Sequence, residues 1–72
     1  MPARLSAILR ALKDFDATIE NPSGGSHFKA YRNGTMYSIP AHNGLKSEIP
    51  DMYIKQLCKE LGIDYKKFVK SL

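Results

Sequence analysis

Apolar and polar residues alternate along this chain with two different periods, and the change of period divides it into elements. From residue 3 to 13, Leu5, Ile8, Leu9 and Leu12 recur at i, i+3, i+4 and i+7, the spacing that lines one face of a helix. Pro2 fits the expected first turn of that helix, where its missing N–H costs nothing. Residues 15–20 alternate instead, with Phe15, Ala17 and Ile19 on one side, and predict a first strand. Asn21-Pro22-Ser23-Gly24-Gly25 breaks the pattern and predicts a loop. Alternation then resumes on both sides of Asn33-Gly34, a dipeptide whose tolerance of positive φ favours a two-residue hairpin turn. The hairpin should occupy roughly 26–40, ended by Pro40, which cannot donate to a ladder. Ala41 to Ser47 read as a polar loop.

The helical period returns over 50–61 with Ile54, Leu57, Cys58 and Leu61. Pro50 suits the first position of this second helix, Asp51 complements its dipole, and Gly62 suits the left-handed residue that ends it. Asp64 can cap a third helix over 65–71, in which Tyr65, Phe68, Val69 and Leu72 repeat the apolar spacing. The order is α-β-β-β-α-α: an α+β fold with a three-stranded antiparallel sheet and helices on one face.

A two-residue turn fixes the hairpin register. Phe28 should face Ile39, Lys29 face Ser38, Ala30 face Tyr37, and Tyr31 face Met36. One side of the hairpin then collects Phe28, Ala30, Tyr37 and Ile39, the side to be buried. The other collects His27, Lys29, Tyr31, Ser38 and Met36, and is left open. A slip of one residue would exchange the two sets.

With 72 residues, the chain is one domain, 1–72, which buries only about 60% of its unfolded surface. The single Cys58 excludes an internal disulfide framework. No stretch reads as a signal peptide or a membrane span, so the expected setting is the cytoplasm. A formal net charge of +4 suits nucleic acid, an acidic protein partner, or plain solubility. Much of that charge lies in the last third, in Lys55, Lys59, Lys66, Lys67 and Lys70, where it forms a solvated face or a phosphate-contacting one.

The candidate chemistry sits at the start of the hairpin. His27 follows Gly24-Gly25-Ser26 on the open side, and an imidazole can take or give a proton near neutrality. Lys29 points the same way and can neutralise a phosphate. Ser26 and the amides of Gly24 and Gly25 could position that phosphate, although the loop lacks the lysine of a P-loop. His42 should lie near His27, because His27 falls opposite Pro40; it either shares acid and base roles or fixes its own loop. Metal binding by His27, His42 and Cys58 is disfavoured: Cys58 lies on the apolar stripe and no ligand spacing is present. The same burial disfavours a cysteine nucleophile. Asp14, Asp16 and Glu20 form no defensible carboxylate pair.

Gly25-Ser26-His27-Phe28-Lys29, a hairpin, Ile39-Pro40-Ala41-His42, and Ile49-Pro50 leading through Ile54, Leu57 and Leu61 to Gly62-Ile63-Asp64 occur in that order. Together they resemble the HicA (YcfA-like) toxins of bacterial type II toxin–antitoxin systems, over nearly the whole chain. The resemblance implies a fold like the double-stranded-RNA-binding domain. It implies a ribosome-independent mRNA endonuclease without metal or cofactor, whose catalytic histidine falls on His27. Lys29, Ser26, Gly25 and Tyr31 would then meet RNA, with His42 in support. The expected partners are mRNA and a HicB-like antitoxin that covers the active face, with operator DNA bound only through that complex. The chain departs from the family pattern at Ser23-Gly24, where a cation is common before Gly-Ser-His, at Phe28, where a second His or Tyr is common, and at Ala30, where an aromatic is common. Two further readings follow from the residues alone: a non-catalytic module binding duplex RNA on a basic open face, and a small interaction domain that recruits an acidic protein.

Overall fold

Asn33 and Gly34 take positive φ angles of 52° and 78°, the conformations that let a two-residue turn match the twist of its strands. A computed structural model describes residues 2–72. In it β3 (His27–Arg32) and β4 (Thr35–Pro40) flank this turn. They pair antiparallel with His27 opposite Pro40, Phe28 opposite Ile39, Lys29 opposite Ser38, Ala30 opposite Tyr37 and Tyr31 opposite Met36. The expected register is therefore the observed one. β2 (Thr18–Glu20) adds to the other edge of β3, with Thr18 opposite Tyr31, Ile19 opposite Ala30 and Glu20 opposite Lys29. β3 is the central strand of this three-stranded antiparallel sheet.

Side-chain alternation makes one side of the sheet apolar. Phe28, Ala30 and Ile39 are buried there against α1 (Leu5–Lys13), α2 (Asp51–Leu61) and α3 (Tyr65–Lys70). α1 contributes Leu5, Ile8, Ala11 and Leu12, α2 contributes Ile54, Leu57, Cys58 and Leu61, and α3 contributes Phe68. The helix ends of the second half follow local rules. Gly62 takes φ 68° and ends α2. Asp64 Oδ1 accepts from the Lys67 amide at 3.2 Å and starts α3. Tyr65 donates its hydroxyl to Asp51 Oδ1, and Lys55 Nζ lies 3.3 Å from Asp51 Oδ2 and 5.6 Å from the centroid of the Tyr65 ring. Lys55 is thereby engaged between the two helices.

Arg32, the last residue of β3, points to the helix side and ties three elements together. Its Nε donates to Phe15 O at 2.8 Å, and its Nη1 donates to Leu61 O at 2.7 Å and to Gly62 O at 3.2 Å. The Phe15 ring meets Phe68 of α3 at a centroid distance of 5.7 Å. Charge-assisted bonds to carbonyls that lack partners at a helix end are stronger than neutral ones.

Several expected boundaries move, each for a structural reason. The first helix starts at Leu5, not at residue 3, and Pro2 precedes a strand instead of occupying a helical turn. Ala3–Arg4 form a short strand, β1, paired antiparallel with β5 (Glu48–Ile49). Leu5 N donates to Ser47 O at 2.8 Å. The expected polar loop over 41–47 holds a 3-10 turn at Gly44–Lys46, with Ala41 and Ser47 buried. Ser47 Oγ is satisfied there by the Asn43 amide at 2.9 Å. The strand expected over 15–20 begins at Thr18. Phe15 and Asp16 close α1 instead, with Asp16 at φ 62° and Ala17 N bonded back to Leu12 O at 3.1 Å. Pro50 flanks α2 with extended backbone instead of entering it. Leu9 is only half-buried, and Ala11 takes the expected place in the core.

Replacing Arg32 by Met keeps the aliphatic stem but removes both donor nitrogens and their three hydrogen bonds. Loss of about 1–3 kcal/mol of stability is expected, read as a lower urea midpoint with an unchanged denaturant slope.

Candidate functional site

The bare side of the sheet is a small lattice of eight strand positions. Thr18 and Glu20 come from β2, His27, Lys29 and Tyr31 from β3, and Met36, Ser38 and Pro40 from β4. His27, Lys29 and Tyr31 are all exposed, as their alternation with Phe28 and Ala30 predicts. Lys29 is the only Lys or Arg among these eight positions. Its Nζ lies 3.9 Å from Glu20 Oε1, and both side chains are about half exposed, at 47% and 59%. Such a solvated pair contributes little stability, so the ammonium can turn from Glu20 to an incoming anion. Tyr31 donates its hydroxyl to Glu20 Oε1 at 3.0 Å. That bond, with lesser contributions from burial and the Glu20 charge, raises the phenol above its ordinary pKa.

The loop before β3 folds over one end of this lattice. His27, Lys29, Glu20, Asn21, Ser23 and Gly25 line a shallow cleft of about 290 Å³. Gly24 takes φ 105°, a conformation that an L side chain rarely adopts, and nothing would meet a Cβ at Gly25. Both glycines are exposed, and Gly25 is the one that lines the cleft. The cleft brings together an imidazole, an ammonium, a carboxylate and accessible backbone. Proton transfer and stabilisation of a developing negative charge are the chemistry such a set can perform.

Not every candidate residue reaches this cleft. Ser26 lies outside its lining; it is half-buried, and its carbonyl accepts from Ala41 N at 2.8 Å, which extends the hairpin. Tyr31 lies on the same face but farther along β3. His42 is exposed in a separate cleft of about 330 Å³ with Pro40, Asn43 and Tyr53. The two histidines line different clefts, although their backbones run side by side: His27 pairs with Pro40, and Ala41 N bonds Ser26 O at 2.8 Å. The cleft also holds Glu20, which no local sequence pattern ties to the hairpin. Only the β2–β3 register reveals it, and a loop of six residues between those strands leaves that register unmarked.

A larger cleft, about 870 Å³, lies elsewhere, between α1, β2 and Leu45. Its apolar floor of Leu9, Ala17 and Ile19 and its cations Arg10 and Lys13 include no histidine and no carboxylate, so it lacks a proton-transfer group for neutral pH. Among the described residues, no group of three or more His, Cys, Asp or Glu side chains is placed to hold a metal ion. No helix among the described residues is long and apolar enough to cross a membrane. No family model, curated protein or solved structure matches the chain.

Cys58 is buried in α2, and burial, followed by the charge of Asp64, pushes its thiol up to about 11. The free thiol ionises near 8.5, so the folded state favours the protonated form. The stability this contributes is complete below about pH 8.5 and declines as pH rises toward 11. At pH 8, a thiol reagent should label the native protein on the order of 10² times more slowly than the urea-unfolded chain. Equal rates would show an accessible thiolate.

Proposed function

We propose that this chain is a metal-independent endoribonuclease, the HicA-like toxin of a type II toxin–antitoxin pair, with His27 as its catalytic group. The observation that carries the reading is the exposed His27 at the mouth of a cleft shared with Lys29 and Gly25. The order of the main elements and the Gly-Ser-His and Ile-Pro-Ala-His blocks support it. In finer terms the fold reads as double-stranded-RNA-binding-domain-like, with the short β1–β5 pair added at its margin.

RNA carries its own nucleophile, the 2′-OH. In the proposed step the 2′ oxygen attacks the adjacent phosphorus as its proton leaves. The P–O5′ bond then breaks, giving a 2′,3′-cyclic phosphate and a 5′-hydroxyl. His27 carries a proton in this exchange, as base at the 2′-OH or as acid at the departing O5′. Lys29 offsets the charge that gathers on the phosphorane, and the Gly24 and Gly25 amides receive a phosphate oxygen. Glu20 holds Lys29 and Tyr31 before RNA arrives and releases Lys29 to the phosphate. A site with one imidazole and one ammonium cleaves slowly, which suits an agent that needs few cuts per message. The reading also assigns cytoplasmic action, with a HicB-like antitoxin covering the bare face and operator DNA engaged only through that complex.

Lys29 as the single cation of the open lattice favours a chemical site over a module that binds duplex backbone without cutting it, since the latter needs several phosphate contacts. Induced expression should arrest growth, and His27→Ala should abolish both the arrest and the cleavage of purified RNA. A loss of at least about 10²-fold is expected for a proton-transfer group, while far-UV circular dichroism stays unchanged. Lys29→Ala should slow cleavage less than His27→Ala does, and 2′-deoxy substitution at the cut site should stop it. Full cleavage by the His27→Ala protein would remove His27 from the mechanism.

A further inference from the structure

We infer that the open face takes an unpaired RNA strand, one base of which stacks on Tyr31, and not a duplex; this rests on the RNA-cleaving reading of His27.

The first argument is charge. Recognition of a duplex draws on its phosphate backbone and needs many cations on the contacting surface. The chain carries 11 Lys and Arg, yet only Lys29 is among the eight strand positions of this face, and Glu20 stands beside it. The strand positions of the sheet's bare side are close to neutral. A neutral surface gains its contact energy from bases, and bases are free to give it only when unpaired.

The second argument is the row that crosses the sheet beyond Lys29. Thr18, Tyr31 and Met36 stand opposite one another on three adjacent strands. Tyr31 is 38% exposed and Met36 46%, so an aromatic ring and a thioether lie side by side in solvent. The hydroxyl of Tyr31 is tethered to Glu20, which sits one row along on the neighbouring strand. This draws the ring across the sheet surface, where it can offer a face to a base. Stacking on such a ring accepts any base, because every base has a π-face.

The third argument is spacing. Successive positions on one side of a strand are about 7 Å apart. Tyr31 is one such step from Lys29 and two from His27. A phosphate held at His27 and Lys29 therefore leaves a neighbouring base within reach of Tyr31 along an extended strand. In a duplex that base is paired and its faces are covered by its neighbours.

The test uses the His27→Ala protein, which holds RNA without cutting it, and fluorescein-labelled oligouridine of twelve nucleotides, alone or annealed to oligoadenosine. Fluorescence anisotropy at one salt concentration should show the single strand bound at least about 10-fold more tightly than the duplex. Tyr31→Ala should weaken single-strand binding by about 5- to 100-fold, while Tyr31→Phe, which keeps the ring, stays within a few-fold of the parent. Duplex binding as tight as single-strand binding would overturn the inference, and so would an unchanged affinity in Tyr31→Ala. Cleavage of duplex RNA that depends on His27 but not on Tyr31 would sink this inference and leave the nuclease reading standing. Tyr31-dependent binding by a wild-type protein that never cuts would do the reverse.

Discussion

The arrangement depends on a constraint of two residues. Asn33 and Gly34, both at positive φ, hold β3 and β4 in one register, and side chains along a strand change sides at every step. Phe28 and Ala30 are thereby committed to the core, and His27, Lys29 and Tyr31 to the surface. A slip of one residue would bury the imidazole and the ammonium and expose the phenyl ring. The burial of Phe28 and Ile39, at 8% and 1% exposure, opposes that slip. The chemistry of the bare face is thus a by-product of packing on the other side.

Arg32 carries the same alternation to its end. It falls on the buried side of β3 and uses that position to reach carbonyls at the ends of α1 and α2. One guanidinium thus joins the sheet to both long helices at the edge of the core. Because every helix lies on that side, the opposite side has no cover of its own. The bare face and the well-tied back are two results of one parity.

What the sequence disclosed and what it withheld divide along the range of the interactions involved. The hairpin, Gly62, the Asp64 cap and the apolar stripe of α2 are written within a few residues of where they act, and they are found where expected. The β1–β5 pair joins Ala3 to Ile49, and two-residue strands carry no periodicity to betray them. Phe15 continues an alternating pattern, yet its amide bonds back to Leu12 O at 3.0 Å and finishes a helix turn; backbone closure outweighed pattern. In the candidate site, His27 and Lys29 were legible because one strand places both. Glu20 was not, since it enters through a second strand joined by a loop with no fixed register. The 3-10 turn that follows His42 was not legible, since the chain's course there depends on burying Ala41 and Ser47.

The link between Leu5 and Ser47 bears on how the molecule is made. α1 has no side-chain cap at its start, and its first amide is met by a carbonyl supplied from far downstream. α2 and α3, which cover the inner surface of the hairpin, are synthesised after it. A nascent chain on the ribosome therefore exposes His27 long before it owns a core to hold that ring in place. The open face is therefore set only once α2 and α3 have emerged and closed over Phe28 and Ile39.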